Sequence, residues 1–125
     1  MAEAGLKFTK SHEWIRVEGG DAVVGLTDYA QGELGDIVFI ELPEKGKGVS
    51  SGDVLTTVES VKSVSEIFAP VSGEVVDANS ALDDDPSLIN SDPYGQGWIV
   101  KIRLSDKGEL DATISGDEYE ELTKG

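Results

Sequence analysis

The 125-residue chain has no cysteine, one histidine and one methionine, the initiator. Without a thiol there is no disulfide, no thiolate metal site and no thiol nucleophile. A single imidazole leaves almost nothing to hold a transition metal. Basic residues are scarce too: ten Lys and Arg stand against 25 Asp and Glu, a formal charge of −15. A phosphate backbone is held by clustered Lys and Arg, so this balance argues against nucleic acid as a partner. It equally disfavours an electrostatic landing on an anionic membrane surface. No run approaches the roughly 18 apolar residues of a membrane span. The opening stretch, MAEAGLKFTKSHEW, has neither the apolar centre of a signal peptide nor an Arg-rich transit pattern, which points to a cytoplasmic protein. Any redox or covalent chemistry needs an added group to supply the reacting atoms.

What is present is the material of one β-rich domain spanning residues 1–125. Residues 12–17 (HEWIRV) alternate apolar and polar side chains, as a half-buried strand should. Gly19-Gly20-Asp21 makes a turn into a second strand over 22–26. Thr27 or Asp28 can cap a short helix running to Leu34, with Gly35 as its stop. Further strands are expected over 37–42, 54–61, 64–69, 74–78 and 98–104. The glycine-rich stretch 44–53 and the Asp-, Asn-, Pro- and Ser-rich stretch 79–97 read as loop. One helical turn is expected in the latter, with Pro86 at a first helical position before Ser87-Leu88-Ile89. Ser115 with Glu118 is a capping-box pattern opening a C-terminal helix to Leu122. A weak echo, Gly35-Asp36-Ile37-Val38 against Gly73-Glu74-Val75-Val76, fits two similar half-sheets packed face to face. The class is mainly β: a sandwich or flattened barrel of two antiparallel sheets, with short helices added at the N-terminal side and the C-terminus.

Autonomous catalysis has little to work with. His12 is flanked by Ser11 and Glu13, but strand neighbours point to opposite faces and cannot assemble a triad. A lone strand histidine reads as a surface or packing residue. No nucleophile elbow, phosphate loop or dinucleotide fingerprint is present. The Asp83-Asp84-Asp85 run lacks calcium-loop spacing and its closing Glu, and reads as a solvated acidic loop; no metal site is expected. The segment Glu59-Ser60-Val61-Lys62-Ser63 is more informative. It must reverse tightly between two strands with Lys62 near the tip, yet it has no Gly, Asn or Pro, the residues tight hairpins favour. Apolar Val61 also stands where a solubilising turn would be polar.

Around that lysine the chain resembles the H-protein family of the glycine cleavage system. The matching stretches are 11–17 (SHEWIRV), 25–31 (GLTDYAQ), 34–43 (LGDIVFIELP), 58–62 (VESVK), 69–76 (APVSGEVV) and 88–99 (LINSDPYGQGWI), in the family's order. The resemblance implies a lipoyl-type fold of two antiparallel sheets, with a core over about 22–104 and a helical extension over about 106–123. It implies that Lys62 carries lipoate in amide linkage, with Glu59, Ser60, Val61 and Ser63 forming the recognition frame. The chain would then be a carrier and not an enzyme. The arm would take an aminomethyl group from the pyridoxal-phosphate glycine decarboxylase (P protein) and present it to the tetrahydrofolate-dependent aminomethyltransferase (T protein). Dihydrolipoamide dehydrogenase (L protein) would reoxidise it, after a lipoate-attaching enzyme had installed it. Pyridoxal phosphate, folate and flavin belong to those partners. The family pattern also suggests Ser11, Glu13 and Glu66 as a resting site for the cationic load. Two positions depart from the pattern: Glu66 where the family usually places Asp, and Ser63 where it commonly places Ala. Rival readings are a lipoyl carrier of a 2-oxoacid dehydrogenase complex and a lipoate donor to other proteins. Biotin carriers share the fold but flank their lysine with methionines, where this chain has Val61 and Ser63.

Overall fold

The structure, a computed structural model, describes residues 6–123. The first five residues of the stretch read for a leader, and the two C-terminal residues of the 1–125 span, lie outside the described residues. Along the chain run β1 (Lys7–Phe8), β2 (Glu13–Glu18), β3 (Asp21–Leu26), α1 (Asp28–Leu34), β4 (Ile37–Glu41) and β5 (Gly48–Val49). They are followed by β6 (Val54–Ser60), β7 (Val64–Phe68), β8 (Gly73–Ala78), α2 (Ala81–Asp84), α3 (Leu88–Ser91), β9 (Val100–Leu104), a 3-10 segment (Lys107–Ala112) and α4 (Gly116–Thr123). The strands form two open antiparallel sheets: a six-stranded one in the order β1-β2-β3-β9-β8-β5 and a three-stranded one in the order β4-β6-β7. This is the expected mainly β sandwich with short helices added. The two halves of the echo open β4 in one sheet and β8 in the other.

Alternation along the strands sends one set of side chains inward. Ile15, Val24, Val75 and Ile102 of the larger sheet meet Ile37, Ile40, Val58 and Ile67 of the smaller in one buried cluster. The larger sheet buries its other face as well. Phe8, Trp14 and Val23 form a second cluster with Tyr119 of α4, and the Tyr119 ring stacks on Phe8 at 4.8 Å. Trp14 sits opposite Gly25 in the β2–β3 ladder, and its ring occupies the space a Cβ on Gly25 would need, 2.6 Å from the nearest ring atoms. A glycine whose open side is roofed by a cross-strand aromatic is a recurrent sheet device.

The terminal signals read from sequence hold: Thr27 caps α1 by accepting from the Ala30 amide at 3.1 Å, and Gly35 ends it. Ser115 and Glu118 make the reciprocal capping-box bonds, each 3.2 Å. Some readings need correction. His12 lies outside β2, with φ of 71°. The 44–53 loop contains β5, which pairs with β8, and 79–97 holds two helical turns rather than one. Pro86 stands two residues ahead of α3. The two elements missed in these stretches, β5 and α2, are a two-residue strand and a single turn, each anchored by one buried side chain (Val49 and Leu82), so neither leaves a periodicity to read.

Candidate functional site

The β6–β7 hairpin ends at the Glu59–Val64 pair, and residues 60–63 make the turn. Ser60 does what glycine or asparagine does elsewhere. Its hydroxyl accepts from the backbone N–H of Lys62 at 3.2 Å and of Ser63 at 3.1 Å, and its own N–H donates to the Ser63 carbonyl at 2.8 Å. Such a hydroxyl-closed turn needs no positive φ, and no tip residue has one. The Val61 amide donates to the Asp36 carbonyl at 3.0 Å, tying the tip to the segment after α1. Of the sequence-predicted frame, Ser60 is therefore the structural member. Glu59 lies in the ladder, while Val61 and Ser63 are exposed at the turn.

Lys62 is exposed, and its side chain lies along the C-terminal end of α1. Nζ donates to the Glu33 carbonyl at 3.3 Å, a group that carries part of the negative end of the helix dipole. Gly35 makes room for this path. It has φ of 80°, and a Cβ placed on it would come within 3.0 Å of Lys62 Cε. Asn90 of α3 fixes the same corner: its amide NH₂ donates to Gln31 Oε1 and the Gly35 carbonyl, each at 2.9 Å, and its Oδ1 accepts from the Ile37 amide at 2.8 Å. Glu33, Gly35 and Asn90 were not singled out from sequence. Only the glycine left a signal, as the stop of α1.

Ser11 and Glu13 are brought together, at the other end of α1. Glu13 is 2% exposed, and one carboxylate oxygen accepts from Ser11 Oγ at 2.7 Å and Thr9 Oγ1 at 2.6 Å. The other oxygen takes no hydrogen bond among the described residues. Thr27 N donates to the His12 carbonyl at 3.1 Å, so this turn is stitched to the cap of α1. His12 is a packing residue: its ring lies 4.8 Å from Tyr29, and Nδ1 shares a 2.7 Å hydrogen bond with the Tyr119 hydroxyl. That hydroxyl also bonds Thr27 Oγ1 at 2.6 Å. Burial pushes the Tyr119 phenol up from the usual 10.0 to about 12, against a smaller downward pull from the Thr27 bond. Tyr119 too was missed, since nothing local in α4 marks it as a partner of residues 12 and 27. Glu66 lies elsewhere. It is exposed on β7, level with Thr57 and Glu41 across the small sheet, and no hydrogen bond or ion pair joins it to Ser11 or Glu13 among the described residues.

The arrangement offers a primary amine on a hydrogen-bonded turn, its stem resting beside Gly35. Toward the other end of α1 is a buried carboxylate with one uncommitted oxygen. This geometry has close counterparts. The family model described as glycine cleavage H-protein matches residues 6–125. A glycine cleavage system H protein of Staphylococcus haemolyticus is 53% identical over 117 residues, covering 94% of this chain and 93% of its own. One from Staphylococcus saprophyticus is 50% identical over 117 residues, with the same coverage. The crystal structure of a glycine cleavage system H protein from Mycobacterium marinum superposes with a TM-score of 0.90 at 38% identity, covering 99% of this chain and 100% of that one.

Proposed function

The chain belongs to the glycine cleavage H-protein family and is a lipoyl carrier of the glycine cleavage system, and we propose that Lys62 is the residue that carries the lipoate. The observation behind this reading is the seat of Lys62: exposed, on a turn closed by Ser60, over a glycine. The surroundings fit such an arm: the lysine is exposed at a hydrogen-bonded tip, and its stem lies on the surface beside Gly35. When attached, the lipoyl group supplies the dithiol that a cysteine-free chain lacks and the sulfur that takes up the aminomethyl unit. The residues of the chain do the rest. Ser60 holds the tip, and Gly35 leaves space beside Cε. Amidation removes the charge that draws Nζ to the Glu33 carbonyl and leaves a single neutral N–H, so the hold of the helix end on the stem weakens. A tethered group then meets each partner at high effective concentration.

The chain works with the enzymes of the glycine cleavage system. We assign these as the P, T and L proteins named above, preceded by a lipoate-attaching enzyme that reads the frame Glu59, Ser60, Val61 and Ser63. Bond making falls to those partners; the single histidine here is engaged with Tyr119. Glu13, oriented by Ser11, offers its uncommitted oxygen to a cationic group, and Glu66 is assigned to the same task from the small sheet. A carboxylate holds such a cation more strongly than a neutral amide would. Residues 1–125 act as one unit, with a lipoyl-type core over 22–104 and the 106–123 extension packed onto it. No helix among the described residues is long and apolar enough to cross a membrane, and the assigned compartment is the cytoplasm, where dithiols stay reduced unless an enzyme oxidises them. The test is Lys62→Arg. An exposed turn tolerates the change, but a guanidinium is not the amine that acylation requires. The variant should keep its fold, gain no lipoyl mass and support no glycine cleavage when it is the sole carrier in a reconstituted system. Retained turnover would overturn the assignment.

A further inference from the structure

We propose that the outward face of the three-stranded sheet docks the enzyme that acylates Lys62, and that this enzyme meets it with an apolar recess ringed by Lys and Arg. The inference rests on the Lys62 assignment above. Three observations support it, the first of them register. Phe39, Glu59 and Val64 stand abreast across β4, β6 and β7, the last row before the turn, and two residues along on the same face stand Glu41, Thr57 and Glu66. Phe39 and Val64 are 51% and 63% exposed, and Val38 and Val61 beside them 53% and 65%. Six of the nine large apolar side chains exposed among the described residues belong to this sheet or its hairpin. Scattered exposed apolar residues need no explanation, but a cluster rimmed by polar groups marks an interaction surface.

The second observation is a break in the ladder between Ile37 and Phe39. Simple alternation would bury either Val38 or Phe39, whereas here both face solvent. Bulges re-aim side chains in this way beside functional sites. The third is charge. No residue of β4, β6 or β7 is basic, and Glu41, Glu59 and Glu66 enter no ion pair among the described residues. On the larger sheet, Glu18, Asp21 and Asp77 each have a cation within 4 Å, from Arg16 and Lys101, Arg103 and Lys45. The small sheet thus presents an apolar strip in an uncompensated negative field. A nucleic acid, an anionic membrane and a second copy of this chain are all repelled by it; a basic-rimmed protein is attracted.

An acylating enzyme has the most use for the strip. It must lift Nζ from the Glu33 carbonyl and hold it against an activated lipoyl carbonyl, which demands a firm grip on the hairpin one row from the lysine. In that step Nζ first gives its ammonium proton to solvent, and the free amine attacks the carbonyl of a lipoyl adenylate. The amide C–N bond forms as the C–O bond to AMP breaks, AMP leaves with the bonding pair, and the second N–H proton passes to the departing phosphate or to solvent.

The test uses the full-length unmodified chain with a lipoate–protein ligase, ATP and lipoate, following amide formation by intact mass and its position by peptide mass. Phe39→Ser should lower kcat/KM about tenfold, mainly through KM, and Val64→Thr should do so in the same direction. The wild-type rate should fall as salt is raised, and Glu41→Lys should be slower at low salt with a flatter salt dependence. Val17→Thr, an exposed position on the larger sheet, should match wild type. Folded Phe39→Ser and Val64→Thr proteins both within about twofold of wild type, less than the energy of one ordinary interface contact, would overturn the docking surface, as would a wild-type rate indifferent to salt. An adduct on another lysine would overturn the Lys62 assignment itself, a failure the peptide map separates from the first.

Discussion

The two sheets treat their outer faces in opposite ways. The outer face of the larger sheet is a second core: Phe8, Trp14 and Val23 are buried under Tyr119 and flanked by Tyr94 and Trp98. The outer face of the smaller sheet is bare, with Phe39, Val64 and three glutamates exposed that enter no ion pair among the described residues. The chain can afford this because one face of each sheet already shares the central core. The C-terminal helix covers the larger sheet and leaves the hairpin free. Stability is thus concentrated on the sheet that does not carry Lys62, and the sheet that carries it keeps its surface for partners.

The sharpest way to break this contrast is to empty the covered face. Trp14 is fully buried, its indole N–H donates to the Pro93 carbonyl at 2.9 Å, and its ring roofs Gly25. Trp14→Ala should cost about 3–5 kcal/mol in urea unfolding, the range for truncating a buried aromatic. Gly25→Ala alone should cost about 1–3 kcal/mol by forcing the ring off its seat. In the Trp14→Ala background the same change should cost almost nothing. Additive losses in that double-mutant cycle would mean that ring and glycine are not coupled.

Tyr119 gives a smaller and pH-dependent effect. Tyr119→Phe keeps the stack on Phe8 but leaves Thr27 and His12 without the shared hydroxyl, a loss of about 1–2 kcal/mol at neutral pH. The phenol ionises near 12 when folded and near the usual 10.0 when unfolded, so between those values the folded chain binds the extra proton. Stability then falls as pH rises through that window and is unaffected below it. The phenylalanine variant lacks this limb, so its gap from wild type should narrow from pH 10 to 12, measured as denaturation midpoints. A constant gap would show that Tyr119 does not titrate as its burial implies.

How far the sequence reveals this arrangement depends on how local each signal is. The long strands, the Thr27 cap with its Gly35 stop and the Ser115–Glu118 box are encoded within a few residues and were legible. The second core was not, because it joins Phe8, Trp14 and Tyr119 across most of the chain and no local pattern says which face α4 covers. At the site, Lys62 was legible from its place at a tip and from the resemblance. Its seat was not: Glu33 lies 29 residues away, and Asn90 reaches Gly35 across 55. The tip was an uncertain hairpin because turn rules look for glycine, whereas here a serine hydroxyl supplies the closing bonds. His12 looked idle for a related reason. Its positive φ goes with the Thr9, Thr27 and Tyr119 bonds around it, and although histidine is among the non-glycine residues enriched in that conformation, two of those three partners are distant in sequence.

The smallest expected effect is the one that sharpens the contrast most. Phe39→Ala removes an aromatic of the same class as Trp14, but from the bare face. About half of Phe39 already contacts water, so the transfer term is reduced accordingly, and there is no enclosed cavity to leave behind. Its cross-strand neighbours are Glu59 and, one strand further, Val64, and neither depends on the ring for a hydrogen bond. What remains is the lower strand propensity of alanine and a partial loss of side-chain contact, together about 1 kcal/mol or less. Urea unfolding of Phe39→Ala beside Trp14→Ala measures both faces on one scale. A loss above about 2 kcal/mol at Phe39, in the range of a buried truncation, would mean that the small sheet uses this ring for its own stability. In that case a lowered rate of lipoylation in a Phe39 variant would report folding rather than docking. A loss near zero together with slowed lipoylation would place the value of Phe39 wholly in what comes to meet it.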